Sequence, residues 1–190
     1  KYSVKLSKKL LRKKLIFIRK KKFKKFENIE AKIFDIIKNI EFKIKTIGGY
    51  YPINYEFDCL PVLKKFVEKK FLVSLPVIGA LNQMSFFNWS SDSHLIVNKM
   101  GIPEPVSKKI VYPDLILVPL VGFDKNKFRL GYGGGYYDRY IEKVGKFKKF
   151  TTIGLSFSFQ EIKKLPLNKF DKKLDFIITE NKIYSWKFCF

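Results

Sequence analysis

Residues Asp114 to Asp124 read DLILVPLVGFD, an apolar run broken only by Pro119 and Gly122. A run without polar alternation predicts a strand covered on both faces, and such strands belong to parallel sheets flanked by helices. Shortly after it comes RLGYGGGYYDRY, Arg129 to Tyr140, with four glycines set among four tyrosines. A buried strand, a polar turn and a helix entered through successive glycines is one way α/β proteins hold phosphate. Glycine permits positive φ and close backbone approach, so consecutive N–H groups can converge on an anion at the helix N-terminus. The spacing is neither known nucleotide fingerprint: Tyr136 breaks G-x-G-x-x-G, and no Lys-Ser/Thr pair follows as a Walker loop requires. Arg129 before the glycines can clamp phosphate and Asp138 after them can hold Mg²⁺. Those two charges separate this loop from a Gly-rich turn that only lets tyrosines pack.

The rest of the chain fits a layered α/β reading. Leu6, Leu10, Leu11, Leu15, Ile18 and Phe26 fall near helical spacing and predict one basic amphipathic helix over Val4 to Phe26 with that apolar face inward. A second helix follows across ENIEAKIFDIIKNIEF, and a third across DCLPVLKKFVEKK with Asp58 as its cap. KIKTIGGYYP, FLVSLPVI, QMSFFNW, TTIGLSF, LDFIITE and KIYSWKFCF read as strands; the two prolines of GIPEP exclude regular structure; YYDRYIEKV reads as a helix. Helices alternating with short apolar strands predict an α/β single-domain sandwich over residues 1–190, with a largely parallel central sheet and helices on both faces.

The formal net charge of +22 invites a nucleic-acid reading, with lysines lining a groove and tyrosines stacking on bases. The excess is almost all Lys, however, and travels with abundant Ile, Phe, Tyr and Asn, residues whose codons are rich in A and T. Coding bias alone would enrich them together, the lysines are spread along the whole chain, and no RNP-like or KH-like motif is present. Cys59 and Cys189 fit no metal or redox spacing, which predicts a reduced, cytoplasmic chain. No apolar run approaches the roughly 18 residues of a membrane span, and no signal-peptide pattern occurs. His94, the only histidine, has no partner spacing and reads as a loop residue.

Beyond the glycine loop, three further segments recur in a known order: KKLLR (Lys8 to Arg12), GIPEP ahead of the central strand, and the Asp-bearing strand LDFIITE. Together with DLILVPLVGFD and RLGYGGGYYDRY, and spanning nearly the whole chain, they resemble the 5-formyltetrahydrofolate cyclo-ligase family. The resemblance implies a CoA-transferase-like fold and an ATP-dependent ring closure: ATP phosphorylates the formyl oxygen of 5-formyltetrahydrofolate, N10 attacks the activated carbon, and phosphate departs, leaving the 5,10-methenyl bridge. It implies ATP contacts from Lys8, Arg12, Arg129, Leu130, Gly131, Tyr132, Gly133, Gly134, Gly135, Tyr136 and Tyr137, with Arg129 and Tyr136 catalytic. The folate, polyglutamylated or not, would meet Tyr51, Glu56, Met84, Trp89 and the stretch Tyr132 to Tyr136. Mg²⁺ would sit on Asp138 and Asp175. Core packing is the alternative for Met84 and Trp89, an ordinary strand-end carboxylate for Asp175, and Lys9 competes with Lys8. The expected partners are ATP and folate, with no specific nucleic acid and no membrane, and the expected state is a monomer. A nucleic-acid-binding protein and another ATP-dependent ligase or kinase on a similar fold are the rival functions.

A positive surface also attracts ATP and folate, both anions. The kcat/KM for either substrate therefore falls as salt rises while kcat changes little; a salt-independent kcat/KM would retire the steering role.

Overall fold

The computed structural model describes residues 2–23, 29–80 and 83–185. In chain order its elements are α1 (Tyr2–Lys22), α2 (Ile29–Lys38), β1 (Thr46–Gly48), α3 (Leu60–Glu68), β2 (Leu72–Ile78), β3 (Met84–Asn88), β4 (Leu95–Val97), β5 (Pro103–Pro105), β6 (Ile110–Val111), β7 (Leu115–Pro119), β8 (Gly122–Phe123), β9 (Arg129–Leu130), α4 (Tyr136–Val144), β10 (Thr151–Leu155), β11 (Phe176–Ile178) and β12 (Ile183–Tyr184). Phe26, the start of the second helix at Glu27 and Asn28, and the end of the last strand from Trp186, with Cys189, lie outside the described residues.

Eight strands form one sheet in the order β12-β11-β10-β7-β1-β2-β3-β6. Its five central strands, β11 through β2, are mutually parallel, and β12, β3 and β6 add antiparallel edges. The period-2 alternation of a strand sends Leu115 and Leu117 into a core shared with α2 and α3, and Ile116 and Val118 into a core shared with α4. Helices thus cover both faces, and β7 is apolar throughout because neither face meets water.

Two aspartates pin the N-terminal edge of the sheet. Asp114 accepts hydrogen bonds from the Thr46 N–H and hydroxyl at 2.9 and 2.8 Å, and Asp175 accepts the same pair from Thr152 at 2.8 and 2.7 Å. Each carboxylate satisfies a strand-opening N–H and staples two neighbouring strands at their starts. The opposite, C-terminal edge is where open α/β sheets place their ligands.

Three local expectations change. The apolar run Asp114 to Asp124 is not one strand: the chain leaves the large sheet after Pro119 and pairs again as β8 with β9, in a separate antiparallel hairpin. GIPEP contains a strand, since β5 pairs antiparallel with β4 through Ile96 and Glu104. Asn98 N–H bonds to Ile102 O and Val106 N–H to His94 O, so the ladder does not need the N–H groups that Pro103 and Pro105 lack. The third change is the face of α1. Leu6, Leu10 and Phe17 point to solvent, Leu10 at 62% exposure, whereas Lys8, Leu15 and Arg19 are buried with Leu11 and Arg12 beside them. Positions 8, 12, 15 and 19 form one helical face, and three of the four are cations. Hydrophobic periodicity misjudged the orientation because the partners on this side are carbonyl and carboxylate oxygens as well as apolar groups.

Leu15 packs with Val121, Leu130 and Leu165, and the absence of a side chain at Gly122 lets it approach the backbone. A Cβ on Gly122 would lie 2.6 Å from Leu15 Cδ1 and 3.3 Å from Gln160 O. Gly122→Val is expected to destabilise the fold by about 1–3 kcal/mol through overpacking. Urea denaturation measures this, and an unchanged midpoint would mean that α1 docks without the close approach.

Candidate active site

The C-terminal edge gathers the loop between β1 and α3, the turn after β7, and the glycine loop between β9 and α4; α1 lies across them. In the first of these, Ile53 to Glu56 forms a tight turn in which Glu56 N–H bonds to Ile53 O at 2.9 Å. Its two central residues, Asn54 and Tyr55, both have positive φ, 48° and 62°, as a type I′ turn requires. Neither is glycine, so the turn stores strain that its surroundings must offset. It aims Glu56 inward, at 4% exposure. One carboxylate oxygen, Oε2, accepts the Ile53 N–H at 2.9 Å; the other, Oε1, is buried with no hydrogen-bond partner. Burial pushes the Glu56 carboxyl up to about 7, against the opposing pull of Ile53 N–H, the Arg19 charge and the Tyr132 hydroxyl. Tyr51 lies half-buried in the same loop, whose start is fixed by the buried Tyr50 hydroxyl donating to Phe57 O at 2.7 Å.

Glycine supplies the special backbone of the second loop at Gly133 and Gly135, where φ is 108° and 66°. Gly135 is the N-cap of α4, so the first N–H groups of that helix face the loop. Arg12 donates from Nε to Gly131 O at 2.6 Å, and its guanidinium lies 3.4–3.5 Å from where a Gly133 Cβ would stand. Lys8 is buried on Asp171, while Lys9 is exposed, which separates the two candidate lysines. Leu130 is buried in the hairpin, Gly134 lies under the Tyr136 ring, and Arg139 stacks on that ring at 5.3 Å. Tyr137 is half-buried, its hydroxyl buried and unpartnered, and it lies within the field of both Glu56 and Arg129; burial of the hydroxyl holds the phenol well above the usual range.

Arg129 does not project into solvent as a phosphate clamp. Its guanidinium donates to Asp138 Oδ1 at 2.9 Å and to Lys172 O at 3.1 Å, and Lys172 N–H donates to the same Asp138 oxygen at 3.0 Å. Burial lowers the Arg129 pKa, and Asp138 is the leading charge that opposes the fall. On α1, Lys8 is likewise paired, with Asp171, whereas Arg12 bonds Gly131 O through Nε and sets its guanidinium beside Gly133. Of the remaining expected residues, Met84 sits at the ligand edge, in the core cluster that Tyr136 and Tyr137 join. Trp89 does not. β3 runs antiparallel to β2, so five residues carry the chain back to the other edge, where Trp89 N–H bonds to Val73 O and the indole packs in the α2–α3 core. Asp175 is likewise placed on the strand-edge clamp with Thr152, and it shares no hydrogen-bond partner with Asp138.

Two residues with no assigned part enter the site. Asp171 holds Lys8 and acts on both Arg12 and Arg129. Arg19, at 1% exposure, donates to Asn54 O and Leu120 O, each at 3.0 Å, and to the Tyr132 hydroxyl. A signal for Arg19 was present: only four of the 39 basic residues are arginines, and Arg12, Arg19, Arg129 and Arg139 all stand around the glycine loop. In a chain where nearly every cation is Lys, Arg marks places that need a planar fork of donors.

A parallel sheet that opens its C-terminal edge onto a glycine loop, a helix N-terminus and a cationic helix face defines an α/β protein built to receive phosphate. The 5-formyltetrahydrofolate cyclo-ligase family model matches residues 2–180, and the chain belongs to that family. It is 30% identical over 148 residues to a 5-formyltetrahydrofolate cyclo-ligase of Escherichia coli K12, covering 74% of this chain and 81% of the relative. The solved structure of 5,10-methenyltetrahydrofolate synthetase from Aquifex aeolicus superposes with a TM-score of 0.74 at 30% identity, covering 96% of this chain and 94% of that one. The corresponding synthetase from Mycoplasma pneumoniae gives 0.65 at 27% identity, covering 90% and 97%. Among the described residues no helix is long and apolar enough to cross a membrane.

Because the folded Glu56 binds its proton up to about pH 7 against a reference near 4.5, stability falls as pH rises through that window and levels off above it. Glu56→Gln keeps the shape without the charge. It should remove that slope and add about 2–3 kcal/mol above pH 7, read by urea denaturation at pH 5 and pH 8. An equal effect at both values would contradict the buried charge.

Proposed function

We propose that this protein catalyses the ATP-dependent cyclisation of 5-formyltetrahydrofolate to 5,10-methenyltetrahydrofolate, with release of ADP and phosphate. The observation that carries the reading within the family is Glu56: a buried carboxylate oxygen without a partner, beside the arginine-lined glycine loop, costs stability unless a ligand completes it. A pterin presents adjacent N–H groups to such a carboxylate, and the unpartnered Tyr137 hydroxyl stands near it.

The chain's residues then divide the work. Lys8, Arg12, the backbone N–H groups of Gly131 to Gly135 and the N-terminus of α4 bind the triphosphate; Tyr132 and Tyr136 border both substrates. A formamide oxygen is a poor leaving group. Its phosphorylation followed by attack of N10 needs in-line placement and neutralised charge rather than a covalent enzyme intermediate. Arg129 acts through Asp138, which it holds in place. Among the described residues no group of three or more acidic, His or Cys side chains could cage a metal. Mg²⁺ needs only one or two carboxylates when phosphates supply the remaining oxygens. Asp138 and Asp171, which both act on Arg129, fit that requirement, and Asp171 takes the place expected for Asp175. Bound there, Mg²⁺ would neutralise phosphate charge. The protein works as a monomer in the cytoplasm, and its positive surface suits polyglutamylated folate.

Purified protein with ATP, Mg²⁺ and 5-formyltetrahydrofolate should form one ADP per methenyl product, followed by its near-ultraviolet absorption, with no nucleic acid required. Asp138→Asn and Asp171→Asn should each raise the Mg²⁺ needed for half-maximal rate by about tenfold or more. Asp175→Asn should lose stability through Thr152 and leave the Mg²⁺ dependence alone. Absence of product from folded wild type rejects the activity; a Mg²⁺ shift in Asp175→Asn only rejects the choice of acids.

A further inference from the structure

Arg19, at 1% exposure, is as deeply buried as any charged side chain of the described residues. Its three nitrogens reach three different parts of the site: Nε the strained turn at Asn54, Nη1 the carbonyl of Leu120 where the chain leaves the large sheet, and Nη2 the hydroxyl of Tyr132 in the glycine loop. Its guanidinium carbon also lies 5.9 Å from the centre of the Tyr132 ring. Arg19 thereby ties the Glu56 turn to the glycine loop by hydrogen bonds to both. Two of its bonds fix backbone and one fixes a side chain that borders both proposed ligands.

We propose that Arg19 is a positioning residue of the cyclisation: it sets the spacing between the Glu56 turn and the glycine loop through Asn54 and Tyr132, and its charge favours the anionic form of Glu56 that receives the folate N–H groups. The inference rests on the proposed role of Glu56. The groups facing that carboxylate are Arg19 from α1, Tyr132 from the glycine loop, Tyr137 from α4, and Tyr50, Cys59 and the Ile53 N–H from its own segment. Arg19 is the cation among them, and its charge adds to the Ile53 N–H in opposing the burial that drives the carboxyl toward its neutral form. Lys in its place would keep a charge and lose the planar fork that serves three acceptors at once.

The test is the pH dependence of kcat/KM for 5-formyltetrahydrofolate in wild type, Arg19→Lys, Arg19→Gln and Glu56→Gln, with ATP and Mg²⁺ saturating. In wild type, kcat/KM should rise with pH along a limb set by Glu56. Arg19→Gln should move that limb up by about one pH unit or more. Arg19→Lys should leave the limb in place and lower kcat/KM by about tenfold at every pH, because spacing rather than charge is lost. Glu56→Gln should abolish the limb and weaken folate binding. A purely structural Arg19 would lower folded yield or activity without moving the limb. An unmoved limb in folded Arg19→Gln overturns the electrostatic half, and wild-type kcat/KM in Arg19→Lys overturns the spacing half. If Arg19→Gln does not fold, a limb displaced in Arg19→Lys still rejects the charge role. A Glu56→Gln variant that keeps both limb and affinity sinks the site assignment itself, separately from Arg19.

Discussion

The molecule depends on burying guanidinium groups against hydrogen-bond acceptors. A buried charge is tolerable only when it is hydrogen-bonded, because the desolvation cost otherwise exceeds what packing returns. Arg19 meets the condition with two carbonyls and a phenol, and Arg129 with a carboxylate and a carbonyl. Those acceptors come from segments far apart in the chain, so satisfying each arginine also fixes where α1, the β1–α3 loop, the end of β7 and the segment before β11 lie relative to one another. The cradle for phosphate is assembled by the same bonds that make the charges bearable.

Stability and function pull against each other within this site. The acceptor oxygen of Glu56 and the hydroxyl of Tyr137 are buried with no protein partner, and two successive non-glycine residues hold positive φ to present that carboxylate. Each feature costs free energy in the free protein. By contrast, at the N-terminal edge of the sheet Asp114 and Asp175 each give one carboxylate oxygen to the N–H and hydroxyl of a neighbouring strand's threonine.

The residues made legible which segments meet at one edge of the sheet: the glycine loop, Glu56, Lys8 and Arg12 gather there, and β7 is buried on both faces as its composition demands. Asp175 was misleading because an Asp before a strand serves equally as a metal ligand or as an N–H clamp, and only the Thr152 bonds distinguish them. Trp89 was misleading because an aromatic on a strand is compatible with a pocket at either end. Arg19 was hidden among lysines on a helix whose apolar periodicity suggested a neighbouring face, with Leu15 at the edge common to both.

By itself the sequence determined the class of fold and the glycine-rich entry to α4, because both follow from local rules: apolar runs, helical spacing, and glycines where positive φ is needed. The tertiary structure decided which face of α1 turns inward, which acids stand by the glycine loop, and which charges are paired. For α1 they depend on acceptors that lie 35 to 163 residues away in the chain from the donors they satisfy. Hydrogen-bond satisfaction over such separations has no local signature, since each group's partner is set only when the sheet brings distant segments together.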